Sequence, residues 1–271
     1  MSARFETADG TLLTIDESGD GLPVVFQHGL CGDAGQTREA FPGESGLRRI
    51  TIEARGHGRS QPGPLEKLSI ATFADDIARY IEKTLPAPVL VGGISMGAAI
   101  ALRLAVTRPE LVRGLILARP AWIVDAAPEN MRPNAEVGRL LKRMPADQAR
   151  TAFLEGKTGR DLAEHAADNL ASLTGFFSRQ PLDVTAALLE AIANDGPGVT
   201  KEDVKALTVP CLVVGHARDA IHPLAYAETL AGLIPGARLV EITPKVDSRT
   251  RYVSDFHAAI NGFIRELNID G

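Results

Sequence analysis

The residues best suited to chemistry in this sequence are Gly93-Ile94-Ser95-Met96-Gly97, a G-x-S-x-G run. They follow the apolar stretch Val89-Leu90-Val91 and lead into Ala98-Ala99-Ile100-Ala101-Leu102, so the expected setting is strand, tight turn, helix. A turn that tight strains the serine and needs small residues two before and two after it, where neighbouring backbone packs close. The strain would expose Oγ at the end of a sheet and aim the backbone N–H of Met96 at a developing oxyanion. Two other uses fit poorly. Gly93 and Gly97 also form a G-x-x-x-G pair, but the apolar run around them is too short for a membrane helix. Gly92, Gly93 and Gly97 lack the G-x-G-x-x-G spacing of a dinucleotide site. A lone G-x-S-x-G recurs by chance; its weight here comes from the surrounding strand and helix.

Three further stretches carry reactive side chains, each just after an apolar run. His28-Gly29-Leu30-Cys31-Gly32-Asp33 follows Val24-Val25-Phe26, and Arg55-Gly56-His57-Gly58-Arg59-Ser60 follows Ile50-Thr51-Ile52. Cys31 could be a nucleophile only with a base beside it, and none is visible; a thiol lining a substrate pocket is the expectation. Gly215-His216-Ala217-Arg218-Asp219-Ala220-Ile221-His222-Pro223 follows Leu212-Val213-Val214. There Asp219 is either a helix N-cap or a catalytic acid, and His222 either a helix-start residue ahead of Pro223 or a base. No H-x-E-x-H or C-x-x-C spacing occurs, so neither a metal nor a cofactor is expected.

Positioning these groups falls to short β-branched runs with helical patterns between most of them. Residues 5–7 and 12–16, joined at Asp9-Gly10, read as an antiparallel hairpin. Leu115-Ile116-Leu117 and residues 239–242 complete the set of strands. Continuous apolar runs of this length suit strands buried on both faces of a mostly parallel sheet. Helices near 71–85, 96–107, 223–233 and 252–267 supply the crossovers. From Trp122 to Val209 the rhythm changes. Residues 134–206 read as helices, with segments at 137–143, 160–173 and 183–193 and no strand. The expected organisation is therefore an α/β core, 1–124 and 207–271, with a helical cap insertion, 125–206, over the strand ends. Trp122, Phe153, Phe176 and Phe177 either line a pocket or glue the cap to the core, and Trp122 is expected in the pocket wall.

Outside the cap, the order of these elements and motifs resembles the α/β-hydrolase fold family, of the small esterase, lactonase and C–C hydrolase type. The resemblance implies a second oxyanion donor from the turn after His28, the backbone N–H of Leu30, with His28 and His57 as structural residues. The family's chain order is serine, acid, histidine, which makes Asp219 the acid. In the family, the histidine lies after the last strand, about ten residues before the final helix's first buried aromatic. Here residues 243–251 contain no histidine; Asp247 falls closest to that place, and His257 lies too far along the final helix. A serine hydroxyl is a poor nucleophile without a base, and an ordinary aspartate, with a pKa of about 3.9, is a weak one. Substitute bases are His222, or Asp247 paired with Asp219 so that repulsion raises one pKa.

Three functions fit these residues. One is hydrolysis of an ester, lactone or related acyl bond through Ser95 with an atypical base. The second is non-hydrolytic chemistry on the same scaffold: a lyase, decarboxylase or C–C bond-cleaving enzyme using the oxyanion hole. The third is small-molecule binding at an inactive site. Net charge of −5 over 271 residues, with no basic cluster or Lys/Arg-rich amphipathic stretch, argues against nucleic-acid and membrane partners. The expected partner is a small-molecule substrate, with room for a homo-oligomer. Two cysteines, Cys31 and Cys211, make no disulfide scaffold, and with no apolar leader at the N-terminus the expected location is cytoplasmic.

Overall fold

A computed structural model describes residues 3–43 and 46–267. Its centre is an eight-stranded sheet: β1 (Ala3–Glu6), β2 (Leu12–Ser18), β3 (Leu22–Gln27), β4 (Leu47–Ile52), β5 (Val89–Ile94), β6 (Val112–Ala118), β7 (Cys211–Gly215) and β8 (Arg238–Glu241). The spatial order is β1-β2-β4-β3-β5-β6-β7-β8; β2 pairs antiparallel with β1 and β4, and every other pairing is parallel. Helices α1 (Ala34–Ala40), α2 (Ile70–Thr84) and α3 (Met96–Thr107) connect the first strands. Between β6 and β7 lie α4 (Arg132–Arg143), α5 (Ala146–Glu155), α6 (Lys157–His165), α7 (Ala167–Gly175), α8 (Leu182–Ala193) and α9 (Lys201–Lys205). α10 (Leu224–Leu233) and α11 (Arg249–Glu266) follow β7 and β8.

The apolar strands are explained by two-sided burial. Successive side chains of a strand point to opposite faces. Val25, Val91, Leu115 and Val213 pack on one face with Phe73 and Ile77 of α2 and Ile100 of α3. Val24, Phe26, Leu90, Ile116 and Val214 pack on the other with Phe256 and Ile260 of α11. At about 1.5–3 kcal/mol for each large side chain buried, both faces must be apolar for the central strands to stay in place. β8 at the edge is mostly exposed and carries Arg238 and Glu241, charges that discourage further strand pairing.

The chain departs from the pattern in two places. α1 has a short, weakly apolar sequence but is capped by Asp33, whose carboxylate accepts the Gly35 N–H at 2.7 Å. The segment 160–173, which reads as one helix, is two. The chain leaves helical geometry at Ala166 (φ −151°, ψ 60°), so that Leu162, Ala166 and Leu173 all face the buried side of the cap. Neither glycine nor proline marks that break; packing imposes it.

Candidate active site

The turn between β5 and α3 holds Ser95 at φ 56°, ψ −111°, a backbone conformation costly for a non-glycine residue. It is held from both sides: its N–H donates to the Ala118 carbonyl at 2.9 Å and its carbonyl accepts the Ala98 N–H at 2.9 Å. The flanking glycines are steric necessities. A Cβ on Gly93 would lie 2.6 Å from the Gly97 carbonyl carbon, and one on Gly97 would lie 2.5 Å from the Gln27 carbonyl oxygen. Met96 begins the helix, where a backbone N–H has no intrahelical acceptor.

Against this turn lies a second one, Gly29–Gly32, closed by the Gly32 N–H on the Gly29 carbonyl at 3.0 Å. Leu30 and Cys31 form its corner, with Cys31 at φ 58°, and a Cβ on Gly29 would sit 3.4 Å from the Ser95 Cβ. The Gln36 side chain anchors the turn by accepting the Gly29 N–H at 2.7 Å. Burial pushes the Cys31 thiol up to about 12, so it is a neutral thiol in the wall near neutral pH. His28 donates from Nδ1 to the Gly29 carbonyl (2.8 Å) and accepts the Ala54 N–H on Nε2 (3.1 Å). His57 donates to the Arg55 carbonyl at 2.9 Å and packs tilted against His28, ring centroids 4.7 Å apart. Burial lowers both pKa values, and neither ring lines the pocket.

That pocket, about 370 Å³, joins strand ends to cap. Ser95, the Gly29–Gly32 turn, His216, Asp219 and His222 line it from the core; Asn134 of α4 and Asn169 of α7 line it from the cap. On the side across from the turns, Asp219 is the hub. Its Oδ1 accepts from Asn169 Nδ2 (2.8 Å) and from the backbone N–H of Ile221 (3.1 Å) and His222 (3.0 Å). Its Oδ2 accepts from Arg119 Nη2 at 2.5 Å and from His222 Nδ1 at 2.9 Å. Burial pushes this carboxyl up, but His222 and Arg119 outweigh it and hold Asp219 far below the usual carboxylate range. Arg119 Nη2 also lies 3.1 Å from His222 Nδ1, but its proton is taken by Asp219 Oδ2; with Nδ1 protonated toward that carboxylate, the ring keeps its lone pair on Nε2. Burial lowers the His222 pKa, Asp219 raises it and Arg119 lowers it again; the net direction is down, so the ring is neutral near pH 7. His216 donates from Nδ1 to the Ala217 carbonyl at 2.7 Å, leaving Nε2 3.6 Å from Asp219 Oδ2.

Two expected placements are overturned. Asp247 does not meet Asp219: the turn closed by the Asp247 N–H on the Pro244 carbonyl (3.0 Å) faces it outward, where it pairs with Arg218 and is 43% exposed. Lys245 and Val246 of the same loop line the pocket instead. Trp122 is not in the pocket wall; it is 2% exposed, its Nε1–H bonded to the Asp195 carbonyl at 2.9 Å, so its ring belongs to the packed junction of cap and core. Conversely, Arg119 and Asn169 belong to the cluster without having been singled out. Only the position of Arg119, directly after a strand at the sheet's carboxyl edge, hinted at it.

Fold and site together define a doubly wound α/β protein with a serine on a strained strand-to-helix turn beneath a helical cap. The model of the α/β-hydrolase fold family matches residues 23–160, and the chain belongs to that family. A putative non-heme bromoperoxidase of Mycobacterium tuberculosis is 29% identical over 239 residues, covering 85% of this chain and 88% of its own. An esterase from Exiguobacterium antarcticum superposes with a TM-score of 0.73 at 23% identity, covering 97% of this chain and 99% of its own. The enol-lactonase from Burkholderia xenovorans superposes with a TM-score of 0.69 at 21% identity, covering 98% of each chain.

Proposed function

We propose that the protein hydrolyses an ester, lactone or related acyl bond of a small molecule, with Ser95 as nucleophile and His222 as base. The observation that carries this reading is the 2.9 Å contact from His222 Nδ1 to Asp219, which leaves Nε2 as the lone-pair nitrogen in a pocket shared with Ser95. An imidazole so held takes the place of the family histidine that residues 243–251 lack. His222 Nε2 takes the Ser95 Oγ proton as Oγ bonds to the acyl carbon, and the carbonyl oxygen, now negative, accepts from the N–H groups of Met96 and Leu30. Collapse breaks the acyl–oxygen bond, and the leaving oxygen takes the proton from His222, giving an acyl-serine and an alcohol. Water then adds to the acyl carbon, its proton passing through His222 back to Ser95 Oγ as the acid departs. Asp219 stays ionised throughout, paired with Arg119, and holds the ring in the required tautomer.

The test is labelling by a fluorophosphonate together with hydrolysis of p-nitrophenyl acetate. The wild type should react in both, Ser95→Ala in neither, and His222→Ala far more slowly than the wild type. A wild type that hydrolyses no acyl substrate and leaves Ser95 unlabelled would turn the reading to non-hydrolytic chemistry or binding at the same pocket.

A further inference from the structure

Among the side-chain hydrogen bonds of the described residues, Arg179, in the loop between α7 and α8, ties the cap to the Gly29–Gly32 turn. Its Nε–H donates to the Cys31 carbonyl at 3.3 Å, its Nη2 to the Gly56 carbonyl at 2.7 Å and its Nη1 to Thr185 Oγ1 at 2.8 Å. The Thr185 hydroxyl in turn donates to the carbonyl of Arg179 at 2.9 Å, and Thr185, on α8, is wholly buried. The guanidinium fork is therefore aimed from the cap at two core loops. Gly56 is itself pressed against the cap: a Cβ there would lie 2.8 Å from Val184. Cys31, at φ 58°, holds a conformation that persists only when its surroundings impose it. No carboxylate pairs with Arg179 among the described residues, so its charge is not cancelled locally.

Resting on the hydrolase reading above, we propose that Arg179 is a positioning residue for the oxyanion hole, fixing the Leu30–Cys31 corner from the cap without touching substrate. Loss of that hold lets the Leu30 N–H drift from the place where negative charge develops, which weakens transition-state binding more than ground-state binding. The expected signature is selective. In Arg179→Met, kcat for an acyl ester falls roughly tenfold with KM within about twofold, and fluorophosphonate labelling of Ser95 slows in parallel. Arg179→Lys, which keeps the charge and loses the fork, recovers little of either rate. Thr185→Val, which touches neither core loop, shifts both rates the same way by a smaller factor. Melting temperatures measured alongside separate this from unfolding, and added ethylguanidinium should partly restore Arg179→Ala.

Full activity in Arg179→Lys would overturn the proposal, because charge alone would then suffice. So would a rise in KM alone, which marks a substrate contact, or a kcat loss that disappears at temperatures well below melting. A normal Ser95 labelling rate in Arg179→Met would overturn it while leaving the hydrolase reading intact. A wild type that is neither labelled nor active would remove both.

Discussion

The two sides of the pocket are built by different means. The Ser95 side is mostly backbone: two tight turns, one held by Gly93 and Gly97, whose Cβ atoms would collide with main chain, the other by glycines packed on the Gln36 side chain, present N–H groups and one hydroxyl. The Asp219 side is mostly side chains, brought together from the end of β6, the loop after β7 and the cap helix α7. Backbone geometry of the first kind is written locally, because a positive φ or a 2.6 Å approach restricts which residue types can occupy a position. Beyond the Asp219–His222 pair, which shares one loop, a network of the second kind depends on residues distant in the chain, Arg119 and Asn169.

Ser95→Ala should abolish turnover, with a fall of at least about 10⁴-fold in kcat for p-nitrophenyl acetate, since a serine nucleophile has no substitute. His222→Ala should cost roughly 10³-fold or more, whereas Asp247→Asn should stay within about twofold, because that carboxylate faces solvent beside Arg218. A larger loss in Asp247→Asn than in His222→Ala would show that the base lies in the loop after β8 after all.

Arg119→Met sharpens the electrostatic side. It strips a buried partner from Asp219 and should destabilise the fold by about 3 kcal/mol in urea unfolding. The Arg119 charge also works against protonation of His222, so its removal should move the acid limb of the kcat/KM profile to higher pH. Unchanged limbs would exclude His222 as the titrating base.

Stability should also depend on pH in the mildly acidic range. His28, His57, His216 and His222 all have folded pKa values lowered chiefly by burial. Below about 6.5, the unfolded chain takes up protons that the folded one does not, so stability present above that pH is lost as pH falls toward the lowered values. Urea midpoints at pH 7.5 and 5.5 should differ in that direction, and a flat profile would show that the rings protonate without disturbing the fold.

Much of the fold was legible in the sequence. Apolar runs with strand length marked the strands of the parallel sheet, and helical patterns marked α2, α3, α10 and α11 within a few residues. The split at Ala166 and the helix α1 were not legible, because packing and a single capping aspartate decide them. The missing family histidine was legible as an absence, and His222 and Asp247 as its candidate replacements, but the surroundings of each were not. Counting along the chain pointed to Asp247, while the turn at Pro244 directs that side chain away from the pocket.

What the sequence alone determined is therefore the α/β architecture, the strained Ser95 turn and the glycine-bound turn beside it, since apolar period and the residue types a tight turn admits are read within a few residues. What only the tertiary structure decided is which distant residues complete the cluster around Asp219 and His222, namely Arg119 and Asn169. Electrostatic and hydrogen-bond energies depend on distance in space, and residues 50 to 100 positions from Asp219 reach it only once the sheet has closed and the cap has settled over it.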